Sequence, residues 1–270
     1  MPNLSLEFSI DDNGKSFLNS QYASYPFHIC RSQYMDSDPF GMANIYIQSA
    51  SGGIYQNESL TTNIVANSDS NSHVTTQAST IVHSMPDGNS CHTINIEAKN
   101  NSYTEYFSDP LILFPESELN SNINLFIDKS STAIIVDGFI THELSHTQEK
   151  FRKLNSNFSI YSHDNKLLVR DIYSVTPDNL NPFDKYKTVG MGTIVIASQK
   201  YSTDELLDEL QKTLQANRNI YGGASKLPNS TGIIIKYLVP ETSLLKESSL
   251  YYWKLIRKII FGIDPIVRRK

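Results

Sequence analysis

Short runs of β-branched and aromatic residues follow one another from about Tyr22 to Ile196, many alternating apolar with polar positions and separated by Asn, Ser, Asp, Gly and Pro. Alternation with period two turns one face of an extended chain toward a core and leaves the other in solvent. The pattern predicts strands at Met42–Gln48, Ser59–Val65, Thr93–Ala98, Asn122–Ile127, Thr132–Val136, Phe158–Tyr161 and Gly192–Ala197. Strands this short and this often interrupted favour antiparallel pairing. Turns are expected at Asp12-Asn13-Gly14, at Pro86-Asp87-Gly88-Asn89 and from Pro177 to Pro182, whose residue types adopt tight-turn dihedrals. No segment recurs at a fixed period. The Asn/Ser-rich stretch Asn67–Ser72 reads as one surface loop, so residues 1–270 are taken as a single domain.

The period changes to that of a helix in the last quarter. Leu206, Leu207, Leu210 and Leu214 form one apolar stripe, Asp204 and Glu205 sit in the opening turn where the helix dipole favours them, and Ser202 or Thr203 can cap it. A helix is expected over about 203–217. A second is expected over about 243–261, stopped by Gly262 and barred from continuing by Pro265. Its apolar residues Leu250, Trp253, Leu255, Ile256, Ile259 and Ile260 spread around much of the circumference, which predicts burial on more than one side. Between the helices, Gly232–Val239 reads as a strand. The fold class is therefore mainly β, with two helices in the C-terminal quarter.

Composition narrows the function classes. A hydrophobic fraction of 39% supplies a core, and 19% charged residues excludes a charge-driven disordered chain. A net charge of -5 argues against an electrostatic binder of nucleic acid. Cys30 and Cys91 are too few for a disulfide framework and lack the spacing of a zinc knuckle. Met1–Phe8 has no basic, apolar leader pattern, and Leu244–Ile263 is broken by Lys246, Glu247, Lys254, Arg257 and Lys258, so neither secretion nor a membrane span is expected. The expected location is the cytoplasm.

The most conspicuous local motif is His142-Glu143-Leu144-Ser145-His146. In H-E-x-x-H, two histidines one helical turn apart bind zinc and the glutamate activates a water. Here the preceding run Ile134–Thr141 is strand-like, and extended backbone would part the imidazoles. Glu149 and Arg152 stand where a metzincin would place its glycine and third histidine. A small zinc protease using His142, Glu143 and His146 is the alternative reading.

A longer-range correspondence is more specific. The succession Tyr25-Pro26-Phe27, Ser51-Gly52-Gly53-Ile54, Thr75-Thr76-Gln77-Ala78-Ser79 and Glu105-Tyr106-Phe107-Ser108-Asp109-Pro110-Leu111-Ile112-Leu113-Phe114 resembles the urease accessory proteins of the UreD type, also called UreH. The resemblance continues through Tyr221–Leu227 and through Trp253, Arg257, Gly262, Pro265 and Arg268. It implies a β-helix-like fold and a non-enzymatic chaperone for nickel insertion into urease. The implied partners are the urease apoprotein, a UreF-type adaptor and the nickel-delivering GTPase of the UreG type. It also implies an internal tunnel that passes Ni²⁺ without holding it tightly, so no resident cofactor is expected.

Three acids are tunnel candidates by the same resemblance. Glu58 stands at the acid of the family's Gly-Gly-Asp string, with the two glycines before it replaced; Asp137 ends the strand that follows the Ile-Leu-Phe-Pro segment; Glu149 matches the acid of a Gly-Glu-x-Phe string. Each is equally readable as a turn carboxylate in solvent. Thr141-His142-Glu143 occupies the place where the family carries a Gly-Arg pair, so His142 and His146 stand in a departure from the family pattern. They are read either as chance surface histidines or as an added nickel-handling pair, since imidazole suits Ni²⁺.

Overall fold

The computed structural model describes residues 1–142, 150–180, 188–201 and 203–266. Its chain winds back and forth between two facing sheets. The first holds β1 (Leu4–Ile10), β2 (Ser16–Ala23), β5 (Ser59–Ala66), β8 (Ser90–Ala98), β11 (Glu118–Ile127), β13 (Lys153–Ser162) and β14 (Leu167–Val175). The second holds β3 (Phe27–Ile29), β4 (Ala43–Ser49), β6 (Asn71–Thr76), β9 (Tyr103–Phe107), β12 (Thr132–Thr141), β15 (Gly190–Ser198), β16 (Tyr221–Lys226) and β17 (Gly232–Val239), with β7 (Thr80–Val82) and β10 (Leu111–Leu113) alongside.

Each coil lays its strands on the previous coil's strands, so like positions stack in rows. Leu6, Ile64, Ile96, Leu125, Ile160 and Val169 form one row across the first sheet. Facing it across the core is the row Ile45, Val74, Tyr106, Ile135, Val195 and Ile234. Both rows are inward positions of alternating strands, as the period-two pattern requires.

The expected antiparallel pairing holds only at the margins. The central neighbours β1–β5–β8–β11–β13 and β4–β6–β9–β12 are parallel. Alternation reports one buried face, and a solenoid buries one face as an antiparallel sandwich does, so the signal could not separate them. The coils also differ in length. The chain takes 58 residues from Leu6 to its row partner Ile64, and later returns come after 29 (Ile45 to Val74), 32 (Val74 to Tyr106) or 35 residues (Leu125 to Ile160), which is why no fixed period shows in the sequence.

Among the described residues three α-helices complete the fold: α1 (Pro177–Leu180), α2 (Thr203–Ala216) and α3 (Thr242–Phe261). The last two lie where expected; α1 is a single turn at the start of the segment read as a turn. Leu206, Leu210 and Leu214 of α2 are buried. Gly262 ends α3 in the left-handed region at φ 76, with its N–H on Lys258 O at 2.8 Å.

The expectation of burial on several sides of α3 holds in part: Leu250, Leu255 and Ile260 are half-buried against the same core, but full burial is confined to one side. Leu245, Ser248, Ser249, Tyr252, Trp253, Ile256 and Arg257 are buried on one side, whereas Tyr251 and Ile259 are exposed. Several of the inward residues are polar in type. They turn inward because partners wait for them, as Ser249 Oγ shows at 2.5 Å from Tyr237 OH.

Candidate functional site

Two polar centres interrupt the apolar interior. The first is built around Glu105 on β9, which is 1% exposed. His73 Nδ1 of β6 donates to Oε2 at 2.5 Å, since a carboxylate can only accept. Trp253 Nε1 donates to the same oxygen at 3.1 Å, and Arg257 Nη1 to Oε1 at 2.9 Å; the Tyr103 hydroxyl also donates to Oε1. Burial alone would raise the Glu105 carboxyl, but Arg257, His73 and Tyr103 outweigh it and hold it well below the usual range. Arg257 reaches on to Asp38 O at 2.7 Å and to Asp36 at 3.6 Å. The donors that meet Glu105 come from β6, β9 and α3, and Arg257 also reaches Asp38 and Asp36, so this centre fixes α3 to the coils and to the segment before β4.

The second centre is a polar thread between the sheets. Asp137 of β12, Thr193 of β15 and Lys236 of β17 occupy one cross-strand row. Ser156 of β13 and Tyr173 of β14 pair on the opposite sheet. Asp137, Ser156, Asp171, Tyr173 and Thr193 line a cavity of about 10 Å³, close to the size of one water. Asp137 Oδ1 accepts from Ser108 Oγ at 3.2 Å. Burial pushes its carboxyl up, against the opposing pull of the Gly138 amide and the Ser108 hydroxyl. The phenols of Tyr106 and Tyr173 are also raised, first by burial and then by facing Asp137. At the far end Lys236 Nζ lies 2.6 Å from Asp171 Oδ2 and 4.7 Å from the centre of the Tyr173 ring.

Tyr106 links this thread to a larger pocket of about 180 Å³, lined also by Phe27, Gly53, Thr62, Thr76 and His92. His92 Nε2 is buried with no hydrogen-bond partner among the described residues. Burial pushes its imidazole down to about 4, so it is neutral at neutral pH. The pocket wall needs glycine at position 53: φ is +147, and a Cβ there would fall 2.2 Å from Ile81 O.

The chain matches the family model described as UreD urease accessory protein over residues 2–270. The chain belongs to the UreD family. Among curated relatives, "Urease accessory protein UreD 1" of Pseudomonas syringae pv. syringae is 29% identical over 268 residues, covering 98% of this chain and 94% of the relative. The protein of the same name from Pseudomonas syringae pv. tomato is also 29% identical, with the same coverage. The one from Methylorubrum populi is 27% identical over 263 residues, covering 95% of this chain and 88% of the relative. The strings through which the sequence resembles UreD proteins converge in space. Pro26-Phe27, Ser51–Ile54 and Thr76–Ser79 line the larger pocket, and Glu105, Trp253 and Arg257 meet in the buried cluster.

The candidate residues fall in different places. Asp137 faces the interior thread. Glu58 sits in the turn after Tyr55, its Oε2 accepting the Tyr55 N–H at 2.8 Å. His142 follows β12 in continued pairing, its N–H on Leu113 O at 2.9 Å. Its ring stacks on Phe114 at 4.5 Å; Phe114 contacts His83 at 5.7 Å, and His83 stacks on Tyr55 at 4.3 Å. Glu58 and His142 thus lie toward opposite ends of one aromatic ladder across four coils. Glu143, His146 and Glu149 lie outside the described residues. Among the described residues no three His, Cys, Asp or Glu side chains converge as a metal cage, and no helix is long and apolar enough to cross a membrane. Nothing in the described structure or the relatives points to a zinc protease.

Asp171, Tyr173, Lys236, Ser156 and Thr193 were not singled out from sequence. In β14 Val169 and Val175 set the inward phase, so Asp171 and Tyr173 between them turn inward and the apolar Ile172 is left exposed.

Proposed function

We propose that this UreD-family protein is a non-catalytic maturation factor that joins the urease apoprotein to a UreF-type adaptor and a nickel-delivering GTPase of the UreG type. In this reading Ni²⁺ is cargo and crosses the molecule between its two sheets. The observation that carries it is the polar thread from the His92 pocket past Tyr106 to Asp137 and Asp171, set in an otherwise aliphatic core. Such a path needs donors that hold a cation briefly. Carboxylate and hydroxyl oxygens suit this, because a full imidazole or thiolate cage would trap nickel. Asp137 fits the task, since its raised carboxyl lets a proton replace a departing ion.

Glu58 and the ladder ending at His142 are proposed as outer contacts for the ion or its carrier, together with His146 and Glu149. The experiment is urease activity and urease-bound nickel in cells carrying a matching urease operon, with and without this reading frame. Both should disappear together on deletion while urease protein stays abundant. Unchanged activity and nickel would reject the maturation role.

A further inference from the structure

We infer that Lys236 is a built-in cation gate at the Asp171 end of the thread, an ammonium that holds the place of the travelling metal ion and must be displaced for it to leave. The inference rests on the conduit reading above. Lys236 reaches from β17 on one sheet to Asp171 on β14 of the other, its Nζ 2.6 Å from the carboxylate and over the Tyr173 ring. It shares a cross-strand row with Thr193 and Asp137, and the carboxylate it pairs with, Asp171, lines the same small cavity as Asp137. Its side chain is 34% exposed and that of Asp171 25%, which places the pair at a mouth rather than in the dry core.

Three physical consequences follow. A tethered monovalent cation neutralises the acidic end of the thread, so a dication arriving there meets one net negative charge instead of two. The ion therefore binds weakly and does not stay. Because the pair is partly exposed, its own strength is small, within about 1 kcal/mol, so an incoming dication can displace it. The lysine stem is flexible and can swing toward solvent while the carboxylates remain in place. A purely structural strap would have no reason to sit on a carboxylate that lines the cavity. A strap also predicts no change in metal affinity when the charge is removed.

The test uses the full chain and the bare metal ion. Nickel chloride is equilibrated by dialysis against the wild type, Lys236→Met, Lys236→Arg and the double variant Lys236→Met/Asp171→Asn, with circular dichroism confirming that each is folded. The expected result is about fivefold tighter nickel retention in Lys236→Met. Lys236→Arg, which keeps the charge, should restore weak retention, and the double variant should lose the gain. Equal retention in wild type and Lys236→Met overturns the gate. Urease activation in cells carrying Asp137→Asn separates the two ideas. If activation falls there while Lys236→Met retains nickel as the wild type does, the conduit stands and the gate is removed. If Asp137→Asn activates urease normally, the conduit fails and the gate fails with it.

Discussion

Arg257 and Glu105, 152 residues apart in the chain, meet at 2.9 Å in the interior, each 1% exposed. A buried carboxylate stripped of its cation is costly, so Arg257→Met is expected to lower stability by about 3–5 kcal/mol in urea denaturation at pH 7. The double variant Arg257→Met/Glu105→Gln should recover part of that loss, because no unpaired charge remains. A double variant no more stable than Arg257→Met would show that the ion pair is not what ties α3 down. The pH dependence has a definite sign. Glu105 is depressed below its ordinary 4.5 in the folded chain, so the unfolded chain takes up the proton first as pH falls. The stabilisation is complete above about pH 5 and is lost below it, and Glu105→Gln should flatten that limb.

Asp137→Asn separates fold from function. Its carboxyl is pushed up in the folded chain, so the charge at neutral pH costs stability, and the amide should leave stability unchanged within about 0.5 kcal/mol or raise it slightly. Urease activation should fall in the same variant. Thermal denaturation beside nickel content of the co-expressed urease checks both halves. A destabilised variant would mean that Asp137 serves the fold.

His92 gives a second acid-sensitive term. Its imidazole falls from 6.5 to about 4 on folding, so between those values the unfolded chain binds the extra proton and stability rises with pH. About 2 kcal/mol should be lost on going from pH 6.5 to pH 4 through this group. His92→Phe should weaken that dependence, as read from urea midpoints at several pH values. An unchanged slope would place the imidazole in solvent.

Glu143→Gln should leave urease activation intact. The metalloprotease motif begins at a residue that continues β-pairing, and only its first histidine lies among the described residues. A severe loss of activation, measured in cells with a matching urease operon, would return the motif to the working residues.

Eight strands, β4, β5, β8, β11, β12, β13, β15 and β17, were legible through their β-branched alternation, and both long helices because Leu206, Leu210, Leu214 and Gly262 sit where helix physics demands; β1, β2, β9 and β14 were not named, and the start of β6 was read as part of the Asn67–Ser72 loop. Parallel pairing was not legible, because Ile45, Val74, Tyr106 and Ile135 stack at unequal intervals. Of the site, Asp137 could be named by resemblance. Lys236 and Asp171 could not, since a lysine and an aspartate in half-polar strands look like surface residues until the facing sheet is in place. The role of Glu105 was hidden for the same reason: its partners come from β6, β9 and a helix near the other end of the chain.

That last contact bears on how the protein is made. The ribosome delivers Glu105 and His73 long before Trp253 and Arg257. Through that interval the carboxylate lacks its strongest partner, and the groove that will receive α3 stands open to water. Ile266, whose N–H reaches Asp36 at 2.9 Å across 230 residues, arrives later still. Coils stacked on neighbours can settle as they emerge, but their outer wall is finished only after the last helix leaves the exit tunnel. Until that helix arrives, the apolar face formed by Ile134, Val136, Ile194, Ile196, Ile233 and Ile235 has no cover, and a nascent chain carrying it is open to association with other apolar surfaces.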